Sequence, residues 1–358
     1  MDGRLDDGVV RVGGDARQRY YDASGYGRPL EGNRIELAPV EAAHLLFRGD
    51  LDAVDGMDFR GFFAYATDAV DRFGVRYLVY ADLRSRGFYL SPARADWVPT
   101  PRRDDDFVAY ERGQGPPDGD VAYRIRVVGE RETVSAARIA AARTGTGAAA
   151  LAVVDEESEI TYLDLGDPDL DGSTNVDLPE GVPVALLDDR VICWEPPVSL
   201  YERGFFGRPL SGREATEGDP LQLSLVEAAY LAERSAIDVD GGASTVRDRG
   251  RAVEGERFDR RLAVYTELRD RAVVPKTGFK FGADFRTYAD VESVGSLGHS
   301  ELLVRVLPAD HAFAPRDLAL DVRLANGVRK TMVFALVGAD DSRGEGDVEW
   351  LSVTRLTP

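Results

Sequence analysis

Four segments of this chain occur twice, in the same order. GYGRPL at residue 25 returns as FFGRPL at 205, and LAPVEAAHLL at 37 returns as LSLVEAAYLA at 223. VYADLRSRG at 79 returns as VYTELRDRA at 264, and DFVAY at 106 as DFRTY at 284. The offsets run only from 178 to 186 residues, so the copies are collinear with small insertions. Two copies are too few for a solenoid, which needs at least three units to bury its core. The chain is therefore a tandem duplication of two fused domains.

Within each copy, helical sequence precedes strand-rich sequence. Pro39 followed by VEAAHLLFRG has the apolar spacing of an amphipathic helix, ended near Gly49. DFRGFFAYATDAVDRFG (58–74) predicts one helix closing at Gly74. In copy two, residues 301–307 and 330–337 are apolar β-branched runs of strand length. Between them, 317–327 reads as a helix capped by Asp317; a polar hairpin at 338–347 leads to a last strand at 349–356. Asp238 to Arg257 is rich in Gly and charge and predicts a loop. The expected fold is α+β or mixed α/β, each copy a small helix-rich N-terminal domain followed by a mixed-sheet nuclease-like domain. The expected boundaries are 1–75, 76–197, 198–261 and 262–358, with EPPV (195–198) as the linker.

The charge pattern is unusual. The net charge is −19, and every cationic side chain is arginine except three lysines, Lys276, Lys280 and Lys330. Acidic excess with so little lysine suits a cytoplasm at molar salt, where the Debye length is only about 3 Å. Net charge then stops excluding an RNA partner, because contact-range interactions decide binding. Cys193 is alone, so one chain can form neither a disulfide nor a cysteine metal site. No basic n-region or membrane-length apolar run is present, so a soluble cytoplasmic protein is expected.

The lysine-bearing window also holds Tyr288 and His299. Tyrosine, histidine and lysine together supply a possible base, a possible acid and a fixed positive charge. Copy one keeps Tyr110 opposite Tyr288, but has about Asp120 opposite His299 and Ala148 or Ala149 opposite Lys330. Only copy two is expected to be active. Asp167, Asp169, Asp171 and Gly172 match the start of a calcium loop. The twelfth position is Leu178 rather than Glu, so the metal reading fails.

VYTELRDR, G-x-K-F-G-x-D-F-x-x-Y, G-H-S and V-R-L-A-x-x-V-R-K, in that order over 264–337, resemble the archaeal tRNA-intron endonucleases. Ala272 to Pro275 departs from the pattern. The resemblance implies cleavage of precursor tRNA at the two bulges flanking an intron, leaving a 2′,3′-cyclic phosphate and a 5′-hydroxyl without metal or cofactor. It implies a catalytic triad of Tyr288, His299 and Lys330, with Arg323 and Arg355 sandwiching a flipped bulge base. It further implies a homodimer in which the acidic loop near Asp167–Gly172 docks on copy two of the partner.

The chemistry is consistent with that assignment. The RNA 2′-hydroxyl neighbours the scissile phosphorus, so orientation supplies much of the rate. A histidine, with a reference pKa near 6.5, suits the acid that protonates the leaving oxygen. Lysine suits the charge stabiliser. A tyrosine, near 10 in isolation, becomes a better base beside an ammonium. Two rivals remain. One is a non-catalytic RNA-binding or assembly subunit. The other is a metal-dependent nuclease, which needs clustered carboxylates near Tyr288, where Asp284 and Asp290 are the only close pair and their spacing of six does not suggest a shared metal.

Overall fold

The computed structural model describes all residues except 99, 112–113, 116–119, 144–146, 213–217 and 339–346. The expected hairpin at 338–347 thus lies almost wholly outside the described residues. The chain divides into two compact units. One comprises Met1–Gly166 with Ala312–Leu320 and Thr354–Pro358; the other comprises Asp167–His311 with Asp321–Val353.

Each unit contains the same five-stranded sheet. In the first, strands Tyr89–Pro92, Phe107–Tyr110, Val121–Gly129, Ala148–Val154 and Ile160–Gly166 pair in that order. In the second the order is Val274–Thr277, Phe285–Tyr288, Leu302–Pro308, Thr331–Val337 and Val348–Arg355. All pairings are antiparallel except the third in each unit, which is parallel. A parallel pair needs a crossover, and helices α4 (Ala136–Arg143) and α8 (Pro315–Gly327) provide it. Asp317 lies in the first turn of α8, not at its cap.

The two N-terminal parts share one device. Helix α1 (Pro39–Arg48) ends on left-handed Gly49, as its sequence predicts. Glu41 in its first turn accepts from Gly27 N at 2.7 Å and Ala38 N at 2.8 Å. In helix α5 (Leu225–Glu233), Glu227 likewise accepts from Gly207 N at 2.9 Å and Ser224 N at 3.0 Å. The repeated GRPL and VEA motifs are therefore one contact: a first-turn glutamate ties the loop glycine to the helix start. A Cβ on Gly27 or Gly207 would sit 2.3 or 2.4 Å from a backbone oxygen, and both have positive φ, so only glycine fits.

Several expectations change. Residues 58–74 form two helices, α2 (Phe59–Ala69, capped by the Asp58 carboxylate) and α3 (Phe73–Ser85). The break follows extended Val70 and left-handed Arg72, whose guanidinium bonds Val127 O and Asp106 in the sheet. The expected loop at 238–257 is largely helix α6 (Gly242–Glu254), with helix α7 (Arg257–Asp270) following it. Its Gly250 is packed so closely on Phe258 that a Cβ would lie 2.2 Å from the ring.

Copy two also begins earlier than the EPPV linker suggests. Arg190–Cys193 pairs with Leu221–Ser224, and Val182–Pro183 with Ile237–Asp238, so 182–193 is built into the second N-terminal part. The repeat of Leu5-Asp6-Asp7 as Leu187-Asp188-Asp189 is the signal that marks it.

Candidate active site

The second unit carries a cleft of about 1040 Å³. Tyr288, His299 and Lys330 all line it, and sheet register explains why. Tyr288 ends strand Phe285–Tyr288, which runs antiparallel to Leu302–Pro308. Lys330 immediately precedes Thr331–Val337, which runs parallel to that same strand. The C-terminus of the first strand and the N-termini of the other two therefore meet at one end of the sheet. Glu301 joins them: its N–H donates to Thr287 O at 3.1 Å, and its carbonyl accepts from Thr331 N at 3.1 Å. His299, two residues earlier, is exposed at this junction.

Two cations have distinct partners here. Lys330 Nζ donates to the Ser300 carbonyl and, at 2.5 Å, to Ser300 Oγ, which anchors the residue next to His299. Arg286 Nε donates to the Tyr288 hydroxyl at 3.2 Å, while its Nη1 is held by Thr277 O at 2.6 Å. The sequence places an ammonium beside Tyr288; the structure puts a guanidinium in contact with it. The Tyr288 ring packs edge-on against Phe205, with centroids 5.6 Å apart.

Lys276 has no reacting partner. It is largely buried and donates to Phe205 O, Gly207 O and, at 2.6 Å, Glu227. Burial alone pushes the Glu227 carboxyl up, but the Lys276 ammonium and two backbone donors hold it at about 2. Lys280 is exposed on the cleft wall. The lining carries Arg208, Arg261, Arg286 and all three lysines against Glu202 and the already paired Glu227. An anionic ligand therefore meets a locally positive surface in a chain of net charge −19.

The first unit supplies an internal control. Phe107 faces Ile125 as Phe285 faces Val304, so Asp120 corresponds to His299. Ala148 faces Tyr123 as Thr331 faces Leu302, so the counterpart of Lys330 is Gly147, one residue before the expected alanines. Tyr110 is fully buried, and burial pushes its phenol up. By contrast, Tyr288 is half-buried and opens on the cleft.

The carboxylates of the metal-nuclease reading do not gather. Asp284 is buried as an anchor, accepting from Val306 N at 2.9 Å and Arg257 at 2.5 Å. Asp290 is exposed and accepts from Ser173 Oγ at 2.9 Å. Among the described residues no group of three metal-ligating side chains occurs. Arg323 on α8 and Arg355 at the end of its strand are both exposed, and neither belongs to the cleft lining.

The loop after Gly166 is tied within the same chain. Gly172 N donates to Arg271 O at 3.0 Å, Thr174 N to Ala272 O at 3.1 Å and Ser173 N to Ala289 O at 2.8 Å. The carboxylate-bearing Asp167, Asp169 and Asp171 remain exposed. No helix among the described residues is long and apolar enough to cross a membrane.

A duplicated mixed α/β chain with tyrosine, histidine and lysine lining one cationic cleft has the groups for acid–base chemistry on an anionic ligand. The family model of the tRNA intron endonuclease catalytic C-terminal domain matches residues 258–350. That of the N-terminal domain matches 1–63 and again 182–249. The chain belongs to the tRNA intron endonuclease family. It is 58% identical over 362 residues to the tRNA-splicing endonuclease of Haloarcula marismortui, with all of both chains covered. It is 58% identical to that of Natronomonas pharaonis, again over the whole of both chains. It is 36% identical to that of Methanococcoides burtonii over 97% of each. Haloarchaeal relatives accord with the acidic, arginine-dominated composition, and the chain is an RNA endonuclease.

Proposed function

We propose that the cleft of the second unit excises introns from precursor tRNA by cutting both strands of a bulge-helix-bulge motif. Tyr288 takes the proton of the bulge 2′-hydroxyl, which attacks the adjacent phosphorus. His299 protonates the departing 5′-oxygen, and Lys330 steadies the negative charge on the phosphorane. The ends are then a 2′,3′-cyclic phosphate and a 5′-hydroxyl, since the nucleophile belongs to the RNA itself. The observation that carries this reading is that the segments bearing the three residues meet at Glu301, through its bonds to Thr287 and Thr331, and that all three side chains line one cleft.

Arg323 and Arg355 are the proposed clamp on a flipped bulge base. Both are exposed, and guanidinium stacking is a contact-range attraction that survives salt better than long-range phosphate attraction does. The working assembly is a cytoplasmic homodimer. One set of Tyr288, His299 and Lys330 per chain and two bulges per substrate call for two chains, and the exposed Asp167, Asp169 and Asp171 offer a partner an acidic surface.

The test is cleavage of a bulge-helix-bulge RNA at high salt with excess EDTA, followed by end analysis. Cyclic phosphate termini support the reading. Absence of cleavage under all salt conditions leaves the assembly-subunit alternative; activity lost on chelation leaves the metal-dependent one.

A further inference from the structure

The turn Thr277–Gly282 presents an unusual surface. Phe279 is 85% exposed, the most exposed of the large apolar side chains described. Yet the turn that holds it is firmly built. Phe279 N donates to Thr277 Oγ1 at 3.3 Å, Phe281 N to Gly278 O at 2.8 Å, and Gly282 N to Phe279 O at 3.2 Å. Gly278 is pressed so close to the strand that a Cβ would lie 2.8 Å from Ala283 O. Arg286, which also holds Tyr288, grips Thr277 O from below.

Phe279, Lys280 and Phe281 all line the cleft. Phe281 lies on the catalytic side, its ring 5.8 Å from Lys330 Nζ. An exposed ring, an exposed ammonium and a second ring beside the proposed reaction centre match the alternation of base and phosphate along an RNA strand. Stacking on an aromatic face tolerates any base and does not depend on long-range charge.

We infer that this turn is a nucleotide-binding element. Phe279 stacks on a base flanking the scissile phosphate, and the Lys280 ammonium contacts the phosphate of that nucleotide. The inference rests on the RNA-cleaving reading of the same cleft and adds to it the class of contact that seats the strand. A second protein chain covering Phe279 is the competing occupant. The ring lies in the wall of the cleft that also holds Tyr288, His299 and Lys330, and this favours RNA, because a protein chain seated on Phe279 would cover the cleft that the substrate must enter.

The experiment measures binding of a bulge-helix-bulge RNA to the full chain carrying His299→Ala, so that cleavage does not interfere. Phe279→Ala is expected to weaken binding about tenfold to a hundredfold, the range seen for one stacked base, and Phe279→Trp to restore it. With the flanking base replaced by an abasic residue, Phe279→Ala should have no further effect. The Phe279 penalty should persist as salt rises, whereas that of Lys280→Gln should fade.

Unchanged affinity for Phe279→Ala overturns the inference, as does failure of any variant to bind this RNA. A shift from dimer to monomer in sedimentation assigns Phe279 to a protein interface instead. If the unmodified chain binds RNA through Phe279 but never cuts it, the catalytic reading fails while the nucleotide-binding element stands.

Discussion

Lys276 Nζ lies 2.6 Å from Glu227 Oε1, and among the described residues copy one has no equivalent of that pair. Lys276 faces Arg286 in the sheet as Ser91 faces Val108, two residues before Tyr288 and Tyr110, so Ser91 occupies the lysine's place. Glu41, without a lysine, is pushed up to about 7 by burial, whereas Glu227 is held at about 2. One duplicated glutamate thus tolerates burial in two ways, as an ion pair in copy two and as an acid pushed towards neutrality in copy one.

Lys276→Met should be strongly destabilising, because it strands a buried carboxylate. Breaking such a pair typically costs about 3–5 kcal/mol. Denaturant unfolding of the variant checks this. Glu227→Gln alone should also destabilise, while the paired substitution should recover part of the loss.

The two glutamates predict opposite pH responses. Glu227 is depressed, so its contribution is present above the ordinary carboxyl value near 4.5 and is lost as pH falls towards 2. Glu41 is raised, so its contribution is present below 4.5 and is lost as pH climbs through about 7. Between pH 5 and 8, hydrogen exchange in α1 should therefore become easier after correction for intrinsic rates, by up to roughly 3 kcal/mol of opening free energy. Protection in α5 should hold steady. Equal behaviour of the two helices would contradict the assignment.

Arg286 is expected to matter through Tyr288. Arg286→Gln removes the only guanidinium bond to its hydroxyl among the described contacts and should slow single-turnover cleavage about tenfold. RNA affinity should change little by comparison, and Arg286→Lys should recover part of the rate. A loss confined to affinity would place Arg286 in binding instead.

His299→Ala should reduce cleavage by a factor of about 10² to 10⁴, the range for a general acid, and leave RNA binding intact. Tyr110→Phe should leave cleavage unchanged, since that ring is buried in the first unit. Loss of cutting from the Tyr110 change would sink the idea that only copy two is active.

Much of this was legible in the sequence because it is local or repeated. The α1 helix and the strands at 302–308 and 331–337 follow from periodicity, and the grouping of Tyr288, His299 and Lys330 in one cleft accords with the family resemblance of their motifs. Misread segments were those where tertiary contacts override local preference. Gly250 looks like a loop residue, yet it sits inside α6 because Phe258 leaves no room for a side chain. Residues 58–74 look like one helix, yet Arg72 turns the chain to reach Asp106.

The sequence by itself determined that the chain is a duplication, which copy keeps the reactive residues, and what kind of chemistry those residues suit. These are matters of residue identity and order. Only the tertiary structure decided what each cation does: Lys276 is consumed by Glu227, Arg286 touches Tyr288, and Lys330 holds Ser300 beside His299. The reason is that a charge acts on whatever lies within a few ångströms of it. Sheet register and burial set those neighbours, and the partner of Lys276 is 49 residues away along the chain.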